Sequence, residues 1–423
     1  MKVLWYVNVP LPRAAAHFGF TAPNGGGWLV GQADFVAQSG VELSILHATP
    51  LVKAPVQAKL ADGITYLFLP ASAGAADFGA AIRQAGPDLV HVFGTEYGYN
   101  LDVIRACRQL GVKYVVSIQG IMTACAEHYM DGLPARFARV DPLVRLMKKL
   151  YYADSIALAR QDFAARAAGE REVLRDCPAV IGRTAWDKAY VARIAPRARY
   201  YTVNENLRDA FYTGERWQAD KARPHTIFVS QAFYPIKGFH RLLAILPALI
   251  RRYPDLQVRV AGQAAYSLGN PVLDWCVDRF FEYQRYIKQQ IRREKLGGHI
   301  CFLGPLCAEQ MKREYLSASL FLSPSTVENS PNSVGEAMML GVPVAASNVG
   351  GTGTLLGPGE GILYDFADLD GMQAAICRLL DEPDTAAAFG AAAHAHAAKT
   401  HDRAANTQAL LGVYRALTEE TAS

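Results

Sequence analysis

Apolar runs of four to eight residues recur along the chain, most of them followed by a longer stretch whose apolar positions return every three to four residues. The short runs predict strands and the longer period predicts amphipathic helices. Val3–Val9 reads as the first strand, and Trp28–Gln38 as a helix stopped by Gly40. Val41–Ala48, Ile64–Leu69, Asp88–Phe93 and Lys113–Ile118 read as strands, with a helix near Leu101–Leu110. Pro134–Asp176 reads as one long helical stretch, basic on one side; a strand at Ala179–Ile181, a helix from Ala185 and a strand near Tyr200–Val203 follow. Thr213–His225 carries five charged residues and a proline without apolar period, which predicts an interdomain linker. Alternation restarts with Ile227–Ser230, a helix over Gly238–Arg252 and a strand at Leu256–Ala261. After an aromatic and basic insert, Tyr266–Leu296, come Ile300–Leu303, the helix Ala308–Ser317, Leu320–Ser323, the helix Pro331–Leu340 and Val342–Ala346. Three helices close the chain, among them the alanine-rich Ala386–Ala398.

Strand–helix alternation in both halves predicts an α/β protein with two parallel sheets, helices on both faces of each. The expected domains are 1–220 and 221–400, and a length of 423 residues also asks for two cores. Ligands of such sheets sit beyond the carboxyl ends of the strands, so chemistry is to be sought in strand-to-helix loops. Composition narrows the classes: 51% hydrophobic and 19% charged residues describe a globular chain, and a net charge of +4 is too small for a nucleic-acid binder. Seven cysteines without a C-x-x-C pair argue against a disulfide scaffold. The longest stretch without an ionisable side chain, Ala337 to Gly359, holds six glycines and two prolines and is no membrane span. The expected location is cytoplasmic.

The most informative segment is Ser323–Asn348, SPSTVENSPNSVGEAMMLGVPVAASN. Ser330 is the expected N-cap, Pro331 the first helical residue and Gly341 the residue past the end. The amides of Asn332, Ser333 and Val334 would then form an anion site. Glu328 precedes this helix and Glu336 lies within it. A second segment, FVSQAFYPIKG from Phe228 to Gly238, places Lys237 after the first strand of the second half, where a point charge suits a phosphate.

The spacing of Glu328 and Glu336, in strand–loop–helix–GVP–strand context, resembles the E-x7-E signature of retaining glycosyltransferases of family 4, with the GT-B fold of two facing Rossmann-like domains. The resemblance implies that Glu328 faces the transferred sugar, that Glu336 holds the nucleotide ribose and that Lys237 holds the diphosphate. Where the family usually has Gly-Arg, this chain has Ser230-Gln231, one positive charge fewer, with Gln231 in the donor loop. The glycines of Asn24-Gly25-Gly26-Gly27 fall on the family's glycine-containing loop, which makes Gly26 and Gly27 donor-side candidates. Gln119 stands where many members have a histidine, and His128 is the neighbour that would substitute for it. Arg183 is a candidate cation for phosphate or acceptor, with an internal ion pair to Asp187 as its other reading; Asn204 falls where the family has Asn-Gly near the hinge. Members often return their last helix to the first domain, which residues 401–423 would do.

The resemblance implies transfer of a sugar from a nucleotide-diphosphate donor, UDP or GDP, to a hydroxyl of a carbohydrate or lipid-linked acceptor, as in bacterial surface polysaccharide or glycoconjugate synthesis. It implies no cofactor and no metal. An inactive sugar-nucleotide-binding partner subunit is the second reading and a nucleotide-sugar epimerase the third. Arg136–Arg175 and the insert Tyr266–Leu296 allow a peripheral contact with anionic lipid, against a solvated or acceptor-facing helix. Asp368 and Asp370 read as a helix cap, and His394 and His396, two apart on a helix, cannot share a metal.

Overall fold

The apolar runs assemble into two separate sheets in the computed structural model, which describes residues 1–20, 27–140, 144–146, 155–262 and 281–419. Eight strands make the first, in the order β3-β4-β2-β1-β5-β6-β7-β8. They are β1 (Lys2–Tyr6), β2 (Glu42–Thr49), β3 (Val56–Lys59), β4 (Thr65–Pro70), β5 (Leu89–Phe93), β6 (Tyr114–Ser117), β7 (Ala179–Gly182) and β8 (Arg199–Thr202). All pairs are parallel except β3 with β4. Strand β3 was not legible in sequence: at the sheet edge it alternates half-buried and exposed residues, so it carries no apolar run. Strand β1 stops at Tyr6, short of the expected Val9, where the chain bends through Asn8 toward Pro10.

The second sheet has six parallel strands in the order β11-β10-β9-β12-β13-β14. They are β9 (Thr226–Val229), β10 (Gln257–Ala261), β11 (Ile300–Gly304), β12 (Leu320–Ser323), β13 (Val344–Ser347) and β14 (Ile362–Tyr364). Its central strands β9, β12 and β13 are buried at every position, as strands covered on both faces must be. The order reverses at β9: β10 lies on one side and β12 on the other, which makes the carboxyl ends of β9 and β12 the switch point of this sheet.

By backbone proximity one unit comprises residues 1–123, 166–209 and 400–423, and the other 124–165 and 210–399. The sequence had suggested a crossing near 220 and a return of 401–423 to the first domain; the division adds an exchange at 124–165. Residues 124–165 belong to the second unit because Asp131-Gly132 docks on the helix Phe239–Arg252: His240 Nε2 lies 2.9 Å from the Asp131 carbonyl oxygen. The last helix, Arg403–Glu419, packs on the first unit, where the Tyr414 hydroxyl accepts from Trp5 Nε1 at 2.9 Å and Gln32 Nε2 donates to Thr407 Oγ1 at 3.3 Å.

Two expectations are corrected. Thr213–His225 is no free linker. Trp217 donates its amide to the Leu340 carbonyl and its indole N–H to Ala318, and the Arg223 amide donates to Ser317, all within the second unit. Nor is Pro134–Asp176 one helix: a 3-10 turn at Ala135–Ala138 is followed by a separate helix, Ile156–Arg175. Residues 141–143 and 147–154 of that stretch, and 266–280 of the insert, lie outside the described residues; the end of the insert is the helix Glu282–Arg293.

Candidate active site on the second unit, and a hydrogen-bonded cluster on the first

In the second unit two loops meet at the switch point. The chain leaves β9 and makes a 3-10 turn, Pro235–Lys237, ended by Gly238 in the left-handed region (φ 66°). A Cβ on Gly238 would lie 1.7 Å from the Pro324 carbonyl oxygen, so only glycine lets this turn press against the loop leaving β12. The Thr326 amide donates to the Ile236 carbonyl at 2.7 Å and stitches the two loops together. A third strand exit braces them: Ser347 Oγ donates to the Ser325 carbonyl at 2.6 Å, and the Gly351 amide to that of Glu328 at 2.9 Å.

This close packing brings Lys237 Nζ to 2.6 Å from Glu328 Oε1, which also accepts from Ser325 Oγ at 2.7 Å. Burial works to discharge the lysine, but Glu328 and Tyr234 outweigh it and hold its pKa above the ordinary value. Lys237 therefore stays cationic at any physiological pH. Its ammonium lies 5.9 Å from the Tyr234 ring centroid, and burial raises the pKa of that phenol.

The helix Asn332–Leu340 begins one residue later than the sequence suggested, with Pro331 rather than Ser330 at the N-cap and no side-chain cap. The later start also corrects the amide set. Val334 N–H donates to the Pro331 carbonyl at 2.9 Å and is already used, leaving Asn332 and Ser333 as the open amides at this end. Tyr315 fixes the first turn by donating to the Ser333 carbonyl at 2.9 Å. Glu336, in the second turn, is buried, and Gly341 ends the helix with φ 74°. Gln231 stands two residues past β9, half-buried beside Gly262, and brings no charge.

Gln119, Arg183 and Asn204 belong to the first unit, and the structure brings Gln119 and Arg183 together around a residue the sequence reading passed over, Glu205. Gln119 Nε2 donates to Glu205 Oε1 at 2.7 Å. The Arg183 guanidinium pairs with Glu205 and also donates to the Gln119 and Ile118 carbonyls at 3.1 and 3.4 Å. Its internal partner is thus Glu205 and not Asp187. Asp187 instead accepts the Arg183 amide at 3.0 Å while capping the helix Ala185–Ile194. Arg183 thus carries the internal ion pair that was its other reading, with Glu205 in the place of Asp187. Asn204 and Arg183 line a cavity of about 20 Å³ with Trp28, Gln32 and Phe93, room for one water and not for a sugar.

His128 is exposed in the second unit, its Nδ1 2.7 Å from Asp131 Oδ2, whereas Gln119 belongs to the first. Gly27 opens the helix Gly27–Gln38 against Arg208, and Gly26 lies outside the described residues. His91 is buried between the Tyr414 hydroxyl and Ser117 Oγ, each at 2.6 Å, and burial pushes its pKa down to about 3, so it is a neutral packing residue. Asp368 caps its helix by accepting from the Gly371 amide at 2.9 Å. His394 and His396 turn to separate partners, the Met339 carbonyl and Glu360. Glu205 had one faint sequence signal, an acid directly beside Asn204 at a strand exit; its partners lie 22 and 86 positions away and no spacing reveals them.

Comparison with known proteins places this geometry. Residues 214–396 match the family described as glycosyl transferases group 1. The chain is 30% identical over 186 residues to a D-inositol 3-phosphate glycosyltransferase of Corynebacterium urealyticum, covering 43% of this chain and 41% of that protein. It is 27% identical over 171 residues to a GDP-mannose-dependent monoacylated alpha-(1-6)-phosphatidylinositol monomannoside mannosyltransferase of Corynebacterium glutamicum, covering 38% and 39%. The matches thus span about two fifths of those relatives' length. Over the whole chain the fold is that of sucrose-phosphate synthase from Thermosynechococcus elongatus, with a TM-score of 0.74, 17% identity and 100% of each chain covered. Anabaena HepE in complex with UDP and glucose gives 0.67, 15% identity and 99% and 100% coverage. The matched residues contain the Lys237–Glu328 pair and the helix that carries Glu336, so the likeness to the glycosyl transferases group 1 family falls on the second unit, and the chain as a whole has the GT-B fold of its structural relatives.

Proposed function

We propose that the protein transfers a sugar from a nucleotide-diphosphate donor to an acceptor hydroxyl, with retention of anomeric configuration and without a metal. The observation that carries this reading is the Lys237–Glu328 pair at the point where the second sheet reverses its strand order. As the glycosidic bond breaks, negative charge grows on the diphosphate and positive charge on the sugar ring. Lys237 is cationic and held by its partner, so it stabilises the leaving oxygens without reorganising. The amides of Asn332 and Ser333 add donors at a helix start. Glu328, released in part from Lys237 by the incoming phosphate, faces the sugar and favours its positive charge. Glu336, buried one turn further on, takes the ribose hydroxyls. Gln231 brings no second cation to the diphosphate, so Lys237 and the helix amides bear that task.

The donor base is UDP or GDP: a structural relative was solved with UDP, and a relative in sequence is named for GDP-mannose. Gln119 and Asn204 in the first unit serve the sugar or acceptor side. That same relative is also named for a phosphatidylinositol mannoside, which supports a lipid-linked or carbohydrate acceptor and a place in surface glycoconjugate synthesis. Among the described residues no helix is long and apolar enough to cross a membrane. A peripheral contact would fall to the helix Glu282–Arg293, which turns Arg292 and Arg293 outward while burying Tyr283 and Ile287.

Release of UDP from UDP-glucose and of GDP from GDP-mannose, measured with a panel of sugar and glycolipid acceptors, tests the reading. Lys237→Ala and Glu328→Gln are expected to lower kcat about 100-fold or more, the scale of losing one charge-stabilising group. Turnover at the wild-type rate in either variant would refute the assignment. Nucleotide binding without turnover by the wild type would favour the inactive partner subunit.

A further inference from the structure

The chain leaves the first unit and returns to it inside helices. The first crossing, from 123 to 124, falls within the helix Met122–His128, and the return, from 165 to 166, within the helix Ile156–Arg175. A crossing through a loop lets its two ends move independently. A crossing through a helix does not, because the backbone hydrogen bonds make the element shift as one piece.

The two crossing helices are fastened to each other on both sides of the exchange. In the first unit Glu170, on the longer helix, accepts from the Met122 amide at 2.8 Å and from the Thr123 amide and hydroxyl at 3.2 and 3.1 Å. Tyr190 and Thr95 donate to the same carboxylate at 2.6 and 3.2 Å, and Glu170 is wholly buried. In the second unit Arg160 Nε donates to the Ala126 carbonyl at 3.3 Å, and the Tyr129 and Phe163 rings pack 5.1 Å apart.

The tip of the shorter helix is seated beside the turn that carries Lys237. A carbonyl only accepts, so buried His240 donates from Nε2 to Asp131 at 2.9 Å and accepts at Nδ1 from the Tyr283 hydroxyl at 3.1 Å. Gly132 follows at φ 76°, where a Cβ would lie 2.7 Å from Arg241 Cδ and 3.0 Å from His240 Nε2. His240 belongs to the helix that opens directly from Gly238, the residue after Lys237. Cys125, on the crossing helix itself, is near enough to Lys237 and Tyr234 to act on both electrostatically. The root of the same helix continues from the loop leaving β6, one of the strand exits of the first sheet.

We propose that the helix Met122–His128, clamped at its root by Glu170 and at its tip by His240, carries the occupancy of the Lys237 site into the first unit. The proposal rests on the nucleotide-donor reading above and adds the regulation of that site. A nucleoside diphosphate at Lys237 steadies the turn, and with it His240 and the seat of Asp131-Gly132. The helix hands that restraint to its root at Met122 and Thr123. The linkage requires that the nucleotide binds the seated arrangement of Asp131-Gly132 better than the unseated one.

Hydrogen exchange of the full-length protein, with and without saturating UDP or GDP, tests it in the wild type and in Gly132→Val, whose side chain drives the turn off His240. The readout is the ratio of exchange rates without and with nucleotide in one and the same protein, which a variant that merely loosens the helix does not move. In the wild type nucleotide is expected to slow exchange over residues 233–241 and, by about 5-fold or more, at the Met122 and Thr123 amides. In Gly132→Val the protection over 233–241 stays and that at Met122 and Thr123 falls below about twofold. If Gly132→Val does not fold, His240→Phe, close in volume but without the Nε2 donor, takes its place with the same expected outcomes. Protection over 233–241 with none at Met122 and Thr123 in the wild type, or protection there that survives in the variant, overturns this proposal and leaves the donor site standing. No protection anywhere from either nucleotide overturns the donor reading and this proposal together.

Discussion

Substituting Gly238 by alanine changes one methyl group, and its consequence can be worked from the packing. Residue 238 sits at φ 66°, where an L-residue pays about 1–2 kcal/mol for the left-handed conformation. The added Cβ would stand 1.7 Å from the Pro324 carbonyl oxygen, although contacts of this kind are essentially never under 3.0 Å. Turn and loop must therefore part by about 1.3 Å, or the turn must abandon its conformation. Either way the bond from the Thr326 amide to the Ile236 carbonyl, 2.7 Å long, is stretched or lost, at about 1 kcal/mol more. The sum is about 2–3 kcal/mol, expected as a fall of about 4–12 °C in the melting temperature of the second unit. Lys237 is the next residue, so the same movement draws Nζ from its 2.6 Å contact with Glu328, and a displacement of that size costs on the order of 100-fold in turnover. Gly297→Ala is the control: it has no positive φ and nothing within 4 Å of the added carbon. Scanning fluorimetry with nucleotide-release kinetics measures both effects. Gly238→Ala melting and turning over like Gly297→Ala would refute the reasoning that close packing of these two loops builds the site.

Two further outcomes follow from the charges. Burial pushes the Glu96 carboxyl up from 4.5 to about 7, helped by nearby Glu170 and opposed by backbone amides, including that of Gly120 at 3.0 Å. The folded state therefore holds this proton more tightly than the unfolded chain, and stability falls as pH rises from 4.5 through 7, levelling above it. Glu96→Gln removes that dependence, so its melting temperature should gain on the wild type between pH 5 and pH 8; a difference that does not change with pH would exclude burial as the cause. For membrane contact, flotation with vesicles containing 30–40% anionic lipid should recover the wild type at low salt and lose it at high salt, each basic residue contributing about 1 kcal/mol. Arg285→Gln/Lys288→Gln/Arg292→Gln/Arg293→Gln should no longer float, and equal recovery of this variant would remove the helix Glu282–Arg293 from the contact.

How far the sequence could be read depends on the range of the interactions involved. Strands such as Leu89–Phe93 and Leu320–Ser323 are apolar at all but one position because both their faces are covered, so burial itself wrote them into the sequence. The segment from Ser323 to Asn348 was legible for a similar reason: strand, loop and Gly341 stop are set by neighbours within a few positions, and only the helix start moved, by one residue. Strand β3, half solvated at its edge, left no such run, and the helix before β7, Ile156–Arg175, is shorter than the apolar period suggested.

The sequence by itself determined the alternation of elements, the parallel sheets that follow from it, and which residue types stand at the strand exits. It did not determine what those residues touch. That Lys237 and Glu328, 91 positions apart, meet at 2.6 Å was decided by strand order and by the fit of Gly238 under Pro324. That Arg183 is neutralised by Glu205 rather than Asp187, that His128 falls in a different unit from Gln119, and that Val334 gives its amide to Pro331 were likewise decided in three dimensions. Periodicity records which side of an element is dry, a property of each residue alone. Pairing of charges and amides is a property of two residues and the distance between them, and that distance exists only once the chain has folded.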